Sequence, residues 1–487
     1  MRSRLAVILL AFLAGIGMAG TWGPDVVVDT GRLSAFAVTA DTTGRLWAAT
    51  GSGTRLRLFA STDAGATWQL RFEHDAGSEL RDLELCAGWG GVNAVYLPFL
   101  ASAGDGDLWL LRLGWDDTAA VVLPIAVGPD TVDDFSFALD HDRAYYLYCV
   151  TANEHRAGLT GFFSRSTDFG ATWEPGQSWW NAHDPQVLYV TGSTVHCVWR
   201  FAQDGTQVHH QISRRYAAPG SWEPHRIAAR GEYLRWDPQL AEVDTLPERL
   251  ARMWLIYTLG WRDSSRTDIR FAVGGNDGRQ WGAEQNWSSP YHDEWFASIA
   301  SDPWTPNGMA GLVYNFGGRG PGDSTVVRWR WTSAFEPEWW SDAVTVSDRR
   351  ANATVPACRP RALCAPGTPL ALPLVFFAGF DSTGARGLYC DAPWFAAAEP
   401  PEPAPLRVAP NPARGRVAFA LVAPEAGRYE LAVYDALGRR LWSGAQTAAR
   451  GSELRPGWNG QGSPAGSYIV VVRGAGRTWR TMLTLVR

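Results

Sequence analysis

The chain has 487 residues, 46% hydrophobic, 12% aromatic and 19% charged, which is apolar material enough for more than one domain. Its 51 Gly, 30 Pro and 26 Trp favour short strands joined by turns over long charged helices. A formal net charge of −5 gives no support to nucleic-acid or anionic-membrane binding, and all 44 basic residues are Arg, which excludes a lysine Schiff base and a lysine-dependent phosphate loop.

Residues 1–20 read as a secretory signal: Arg2 and Arg4 precede an apolar run over 5–16 and small residues over 17–20. A secreted or cell-surface protein is expected. The run is short for a membrane helix, and no later stretch could span a bilayer, so no transmembrane anchor is expected.

Self-similar units follow, beginning near Leu33, Arg81, Asp133, His183, Arg235, Glu294 and Ala351. Their spacing of about 50 residues is that of a four-stranded β unit. Second strands such as 94–97, 144–149, 195–199 and 253–257 are dense in β-branched and aromatic residues, as central strands require. The seventh unit stops after its third strand, near Asp391. Residues 22–30 resemble the outer strand of unit six at 340–348, so the N-terminal strand is expected to complete unit seven and close a ring.

Two turns within the array are nearly identical. Ser61, Asp63, Gly65, Thr67 and Trp68 recur as Ser166, Asp168, Gly170, Thr172 and Trp173. Asp can bond the backbone ahead of it, Gly supplies a positive φ, and Trp opens a strand that needs a core. A degenerate copy has Asn276 in place of Asp, with Gly278 and Trp281 kept; unit four has only 216–222 there, with its Gly displaced.

Pro-rich residues 397–405 predict a stiff linker. Residues 406–487 predict a small β-sandwich, with strands at 417–422, 429–434, 467–473 and 481–486. Its motifs run Pro410-Asn-Pro412, then 433–441, then Trp458-Asn-Gly460, then 464–468. The six Cys lack the paired spacing of a zinc site, and no metal or cofactor is expected. Export permits disulfides, and Cys358, Cys364 and Cys390 cluster in the last unit; buried free thiols are the other reading.

The pattern Ser-x-Asp-x-Gly-x-Thr-Trp resembles the Asp-box, or BNR repeat, of sialidases and related β-propellers. The resemblance implies an all-β, sialidase-like propeller over residues 21–396. Seven blades follow from the repeat count, with six, the usual sialidase number, as the alternative. It also implies that the Asp-box is a structural turn away from the catalytic face. The C-terminal motif order resembles the sorting domain of type IX-secreted proteins, and equally the Ig-like domain of flagellar hook-capping proteins. That implies an Ig-like β-sandwich read by outer-membrane secretion machinery; a generic Ig-like accessory domain is the alternative.

Ligands of a propeller usually meet the face carrying the loops into each innermost strand. There the candidate catalytic carboxylates are Asp134, Asp184, Asp237 and Glu294, and the candidate ligand-binding residues are Arg81, His183, Arg235, Trp236 and Trp295. Two carboxylates flanking a sugar suit glycoside hydrolysis, and Arg can clamp an acidic sugar's carboxylate. Against this, Asp-Pro before a strand is ordinary turn chemistry, and most of the Trp must be core. The sialidase Arg-Ile-Pro motif is missing and no Tyr–Glu nucleophile pair can be assigned. No serine-hydrolase, zincin, P-loop or dinucleotide fingerprint is present. The expected function is an exported binding module for glycans or surface proteins. The alternatives are an exo-acting, sialidase-like glycoside hydrolase and a structural surface repeat protein.

Overall fold

The computed structural model describes residues 22–485 apart from 89–91, 103–105, 127–130, 144, 156–157, 191–192, 202, 204, 246–250, 261–266, 276–277, 287–292, 302–308, 318–324, 334–339, 352–353, 365–372, 381–383, 393–406, 410–412, 423–425, 435–438, 450–451, 455 and 475–476. The expected signal at 1–20, Asn276 and the linker at 397–405 lie outside the described residues. The chain divides into two units, Met1–Phe395 and Ala396–Arg487.

In the first unit, β1 (Val26–Asp29) precedes seven sheets. Sheet I holds β2 (Ala35–Ala40), β3 (Leu46–Ser52), β4 (Arg55–Ser61) and β5 (Gln69–Asp75). Sheet II holds β6 (Leu80–Leu83), β7 (Cys86–Ala87), β8 (Ala94–Ala101), β9 (Asp107–Gly114) and β10 (Val121–Ala126). Sheet III holds β11 (Thr131–Leu139), β12 (Leu147–His155), β13 (Gly158–Ser166) and β14 (Glu174–Trp180). Sheet IV holds β15 (Ala182–Val190), β16 (Thr194–Phe201), β17 (Gln207–Ser213) and β18 (Arg226–Arg230). Sheet V holds β19 (Leu234–Thr245), β20 (Ala251–Gly260), β21 (Thr267–Gly275), β22 (Gln280–Trp281) and β23 (Gln285–Asn286). Sheet VI holds β24 (Asp293–Ser301), β25 (Met309–Gly317), β26 (Thr325–Ser333) and β27 (Val344–Thr345). Sheet VII holds β28 (Arg361–Leu363), β29 (Leu374–Phe380) and β30 (Arg386–Asp391), and β1 is its fourth strand.

All pairings inside these sheets are antiparallel, and β1 registers Val26 against Cys390 and Val27 against Tyr389. Second strands are buried on both faces, as in β3 and β8, whereas the outer strand β5 is largely exposed. Burial on both faces needs apolar neighbours on each side. Seven apolar clusters supply them, each shared by two consecutive sheets: I with II, II with III, and so on, then VII with I through Leu374, Phe376 and Phe36. First strands also touch in sequence, and β28 touches β2. This cyclic succession of four-stranded sheets is consistent with a β-propeller.

The seventh unit starts later than its expected position at Ala351. Ala351 makes an isolated bridge to Gly379 and donates its N–H to Thr325 O of sheet VI at 2.8 Å, and the inner strand begins at Arg361. A 3-10 turn over Pro356–Cys358 intervenes; Pro356 and Pro360 have no N–H to give a ladder. All six cysteines are free thiols, and five are buried.

The two conserved-looking turns connect third to fourth strands in sheets I and III. Asp63 accepts from Ser61 Oγ at 2.7 Å and Thr67 N at 2.9 Å, while Gly65 N donates to Ser61 Oγ at 2.9 Å. Asp168 accepts from Ser166 Oγ at 2.9 Å and Thr172 N at 2.9 Å. Gly65 (φ 90°) and Gly170 (φ 85°) are left-handed, and a Cβ on Gly170 would stand 2.4 Å from Leu110 of sheet II. Trp68 packs edge-on to Phe376 and Trp173 to Phe137. Sheet IV turns differently: Arg215, Tyr216 and Ala217 are all left-handed, with a bridge between Ser213 and Trp222.

The second unit contains β31 (Arg407–Ala409), β32 (Arg416–Val422), β33 (Gly427–Tyr434), β34 (Arg440–Ala448), β35 (Glu453–Leu454), β36 (Gly457–Asn459), β37 (Gly466–Gly474) and β38 (Arg477–Leu485). They form two sheets, β31–β32 with β35 and β36, and β34–β33–β37–β38. One core joins them, with Val417, Phe419 and Trp458 from the first and Leu431, Val470 and Leu483 from the second.

Candidate functional site

The first strands of sheets II to VI share a local irregularity. Pairing slips between Leu80 and Asp82, Val132 and Asp134, His183 and Gln186, Trp236 and Gln239, and Trp295 and Ser298. Such a bulge inserts an extra residue, bends the strand and re-aims a side chain. The residue skipped by the pairing is Arg81 or Asp133 in sheets II and III, each followed directly by an Asp, Asp82 or Asp134. In sheets IV, V and VI the skipped residues are Asp184 and Pro185, Asp237 and Pro238, and Phe296 and Ala297. Asp184 (φ 45°), Asp237 (φ 48°) and Phe296 (φ 49°) are left-handed, a conformation that Asp tolerates and Phe strongly disfavours. Pro185 and Pro238 follow where the interrupted ladder asks for no N–H.

Two residues beyond Asp82, Asp134 and Asp184, a polar side chain reaches the next sheet. Glu84 Oε2 accepts from Phe137 N at 2.7 Å, Ser136 Oγ accepts from Val187 N at 3.2 Å, and Gln186 Oε1 accepts from Leu240 N. These bonds fasten neighbouring inner strands and so fix the spacing of the aspartates.

The aspartates meet arginines. Arg200 donates through Nε to Asp184 Oδ2 at 2.8 Å and through Nη2 to Oδ1 at 3.4 Å. Asp237 N donates to the same Asp184 Oδ2 at 3.3 Å, and Arg359 Nη2 donates to Asp237 Oδ1 at 3.2 Å. Arg359 follows the 3-10 turn of sheet VII and acts electrostatically on Asp237, Asp82, Asp134 and Asp184. Arg361, at the head of β28, faces Glu84, Asp82 and Asp237.

Enclosure sets the protonation states. Burial pushes Asp134 well above the carboxylate range, and the Asp82 and Asp184 charges push it further, against Arg359. Asp82 and Asp237 are raised by burial, with Arg359 opposing. Burial lifts Glu84 to about 7 against Arg361, and burial beside Arg359 lowers Arg361 to about 10. The side chains stay partly reachable: Asp184 is 23% exposed, Asp237 14% and Arg359 17%. Asp82, Glu84, Asp134, Asp184 and Asp237 outnumber Arg200, Arg359 and Arg361, so the cluster holds more carboxyls than guanidiniums. The cluster brings carboxyls raised by burial and guanidinium donors to one place.

The other candidates lie elsewhere. Arg81 is exposed, 4.0 Å from Asp133, and His183 is half-buried on β15. Arg235 is 2% exposed and rivets loops together through Nη1, 2.8 Å from both Thr206 O and Tyr233 O, while Nη2 meets Glu284 Oε2 at 2.8 Å. The Trp236 ring covers Gly260, and Trp295 and Glu294 are buried. The structure therefore brings Asp134, Asp184 and Asp237 together and keeps Arg235, Trp295 and Glu294 inside. Asp82, Glu84, Arg200, Arg359 and Arg361 were not among the sequence candidates. Asp82 shares the strand-entry position of Asp134, a signal that could have found it; nothing local marks Arg359.

Strands alternate in direction, so the first-strand entries and the turns between third and fourth strands occupy opposite ends of each sheet. The Asp63 and Asp168 turns thus lie at the far end from the aspartate cluster. Among the described residues no group of three or more His, Cys, Asp or Glu could hold a metal ion.

No protein-family model matches the sequence, and no curated protein matches it. Solved structures do. A polysaccharide lyase of family PL25, an ulvan lyase bound to -[GlcA(1-4)Rha3S]-, aligns at TM-score 0.50 and 12% identity over 76% of this chain and 95% of its own. The BP39L lectin from Burkholderia pseudomallei aligns at TM-score 0.49 and 11% identity over 74% and 95%. The GH93 α-L-arabinofuranosidase of Fusarium graminearum aligns at TM-score 0.37 and 16% identity over 72% and 92%. At such identities the likeness is one of fold.

Proposed function

We propose that the first unit is a closed seven-bladed propeller of the Asp-box type, and that its inner-strand mouth binds a glycan. The observation that carries this reading is the convergence of Asp82, Asp134, Asp184 and Asp237 from four successive sheets on Arg359 from a fifth. Carboxylates accept from sugar hydroxyls, and protonated carboxyls and guanidiniums donate to them. Arg200 and Arg359 are engaged by Asp184 and Asp237, so a neutral sugar fits better than an acidic one. That the lyase of similar fold is bound to a saccharide is in keeping with a glycan ligand. Calorimetry of the full chain against neutral oligosaccharides tests the reading. Binding that weakens about tenfold or more in Asp184→Asn or Asp237→Asn is expected, each losing a hydrogen bond to a charged group. No binding to any oligosaccharide, or unchanged binding in both variants, refutes it.

One observation favours glycoside hydrolysis as a second reading. Burial and its carboxylate neighbours push the Asp134 carboxyl well above the usual carboxylate range, and an acid so raised next to an ionised carboxylate is the pairing that such hydrolysis uses. Release of reducing sugar, abolished by Asp134→Asn, would establish it.

We further propose that the second unit is an Ig-like sorting domain read by outer-membrane secretion machinery, placing the protein outside the cell. Export should fail at the outer membrane when residues 406–487 are deleted. A deletion variant that still reaches the surface would refute this.

A further inference from the structure

A cavity of about 440 Å3 lies at the outer edges of sheets IV and V, far along each sheet from the inner-strand aspartates. Its wall is β18 on one side and the β22–β23 segment of sheet V on the other; Arg226, Arg230, Arg279, Trp281 and Glu284 carry its chemistry. The degenerate turn of sheet V leads into it: Gly278 is left-handed (φ 68°), and Arg279 and Trp281 follow.

The cavity is basic. Glu223 at its border takes Arg226 Nη2 at 3.0 Å, Arg279 Nε at 3.2 Å and Arg214 Nε at 3.3 Å. Those hydrogen bonds, that from Arg279 foremost, hold the Glu223 carboxyl down at about 2. Glu284 is committed to Arg235 and to the Tyr257 hydroxyl. The lining itself holds Arg226, Arg230 and Arg279 against one carboxylate, Glu284, and with Glu223 at the border positive charge is still in surplus. Arg230 is exposed, and Arg226 Nη1 is a buried donor without a partner. Trp281 is anchored by its indole N–H, 3.4 Å from His210 Nδ1, and contributes half-buried carbon surface.

We propose that this cleft is a second ligand site, and that it takes an acidic saccharide through a ring carboxylate or sulfate. Three features select that class. The volume is that of a small-molecule site and holds a sugar unit or two. Guanidinium forks pair bidentately with carboxylate and sulfate oxygens, as the same arginines already hold Glu223. An indole beside them supplies the apolar surface on which a sugar ring packs. The site is opposite in charge to the inner-strand cluster, so the two discriminate between ligands.

The test is calorimetry on the full chain with a uronate oligosaccharide, a sulfated disaccharide, the neutral counterpart of each, and inorganic sulfate alone. At least one acidic saccharide should bind about tenfold or more tightly than its neutral counterpart, and more weakly as salt rises. Arg230→Gln, at an exposed position outside the core, should reduce that affinity about tenfold. The carboxylate and sulfate arms identify which group is read. Equal binding of acidic and neutral sugars, or an unaffected Arg230→Gln, overturns the proposal. Inorganic sulfate binding as tightly as the saccharide also overturns it, leaving a plain anion site. Neutral-sugar loss on Asp237→Asn and acidic-sugar loss on Arg230→Gln are separate readouts, so either site can fail without the other.

Discussion

Replacing Arg359 by Met should destabilise the first unit by about 3 kcal/mol at pH 8, because it leaves enclosed carboxylates without their shared counter-charge. Arg359 and Asp237 are 17% and 14% exposed, so the 3.2 Å pair is enclosed enough for that range and wet enough to fall at its lower end. Arg359 also lowers the carboxyls of Asp82 and Asp134, which burial already raises. The pH dependence has a definite sign. A carboxyl raised in the folded state binds more protons folded than unfolded, so stability falls as pH climbs from the unfolded value, about 4, through the folded one. Removing Arg359 raises these carboxyls further and steepens that fall. The variant's deficit should therefore shrink at pH 5, where the carboxyls can take up protons. Urea denaturation of both proteins at pH 5 and pH 8 measures it. The double variant Arg359→Met with Asp237→Asn should recover part of the loss, since it removes the orphaned charge. A deficit below about 0.5 kcal/mol at pH 8, or one equal at both pH values, would refute the claim that Arg359 neutralises the cluster.

Three other outcomes follow from particular contacts. Asp29 is 5% exposed and joins β1 to sheet I through Arg57 Nη1 at 2.9 Å and Thr50 Oγ1 at 2.6 Å. Asp29→Ala should cost about 3 kcal/mol in urea, and a loss under about 1 kcal/mol would mean that β1 is held by its ladder alone. A Cβ on Gly260 would stand 2.0 Å from Trp236 Cη2, so Gly260→Ala should lower stability by about 1–3 kcal/mol, read as a shifted urea midpoint at constant m-value. Where β1 meets β30, burial and the Asp25 charge raise Asp391 to about 8, and burial raises Asp25 to about 6. Stability should decline as pH rises from about 4 toward 8 on their account, and Asp391→Asn should flatten the decline; an unchanged slope would show that Asp391 is already ionised.

Much of the fold was legible because its signals are short-ranged. The bonds among Ser61, Asp63 and Thr67 close within one turn, so the residues that make them sit together in the sequence. Strand density at 94–97 and 195–199 marks central strands, which are apolar on both faces wherever they occur. Inner-strand entries were placed within a few residues, except in sheet VII, where Pro356 and Pro360 move the strand start beyond Ala351. The candidate site was legible only in half. Asp184 and Asp237 stood out beside their prolines, but so did Arg235 and Trp295, which point inward. A bulge adds one residue and reverses the face of those after it, so polarity at a strand entry does not say which side chain reaches the mouth.

The sequence by itself determined an all-β chain, an array of repeats, the two Asp63-type and Asp168-type turns, and the pairing of the N-terminal strand with the last sheet. Each rests on local propensity or on a repeat matched against itself. Tertiary structure alone decided the two sites. Asp82 and Arg359 come together only because consecutive sheets pack side by side until VII meets I. Arg226 and Arg279 share a carboxylate only because the outer edges of IV and V abut. Charge acts through space, and the distances that turn scattered Asp and Arg into an acidic mouth and a basic cleft are set by how sheets stack, which no single repeat encodes.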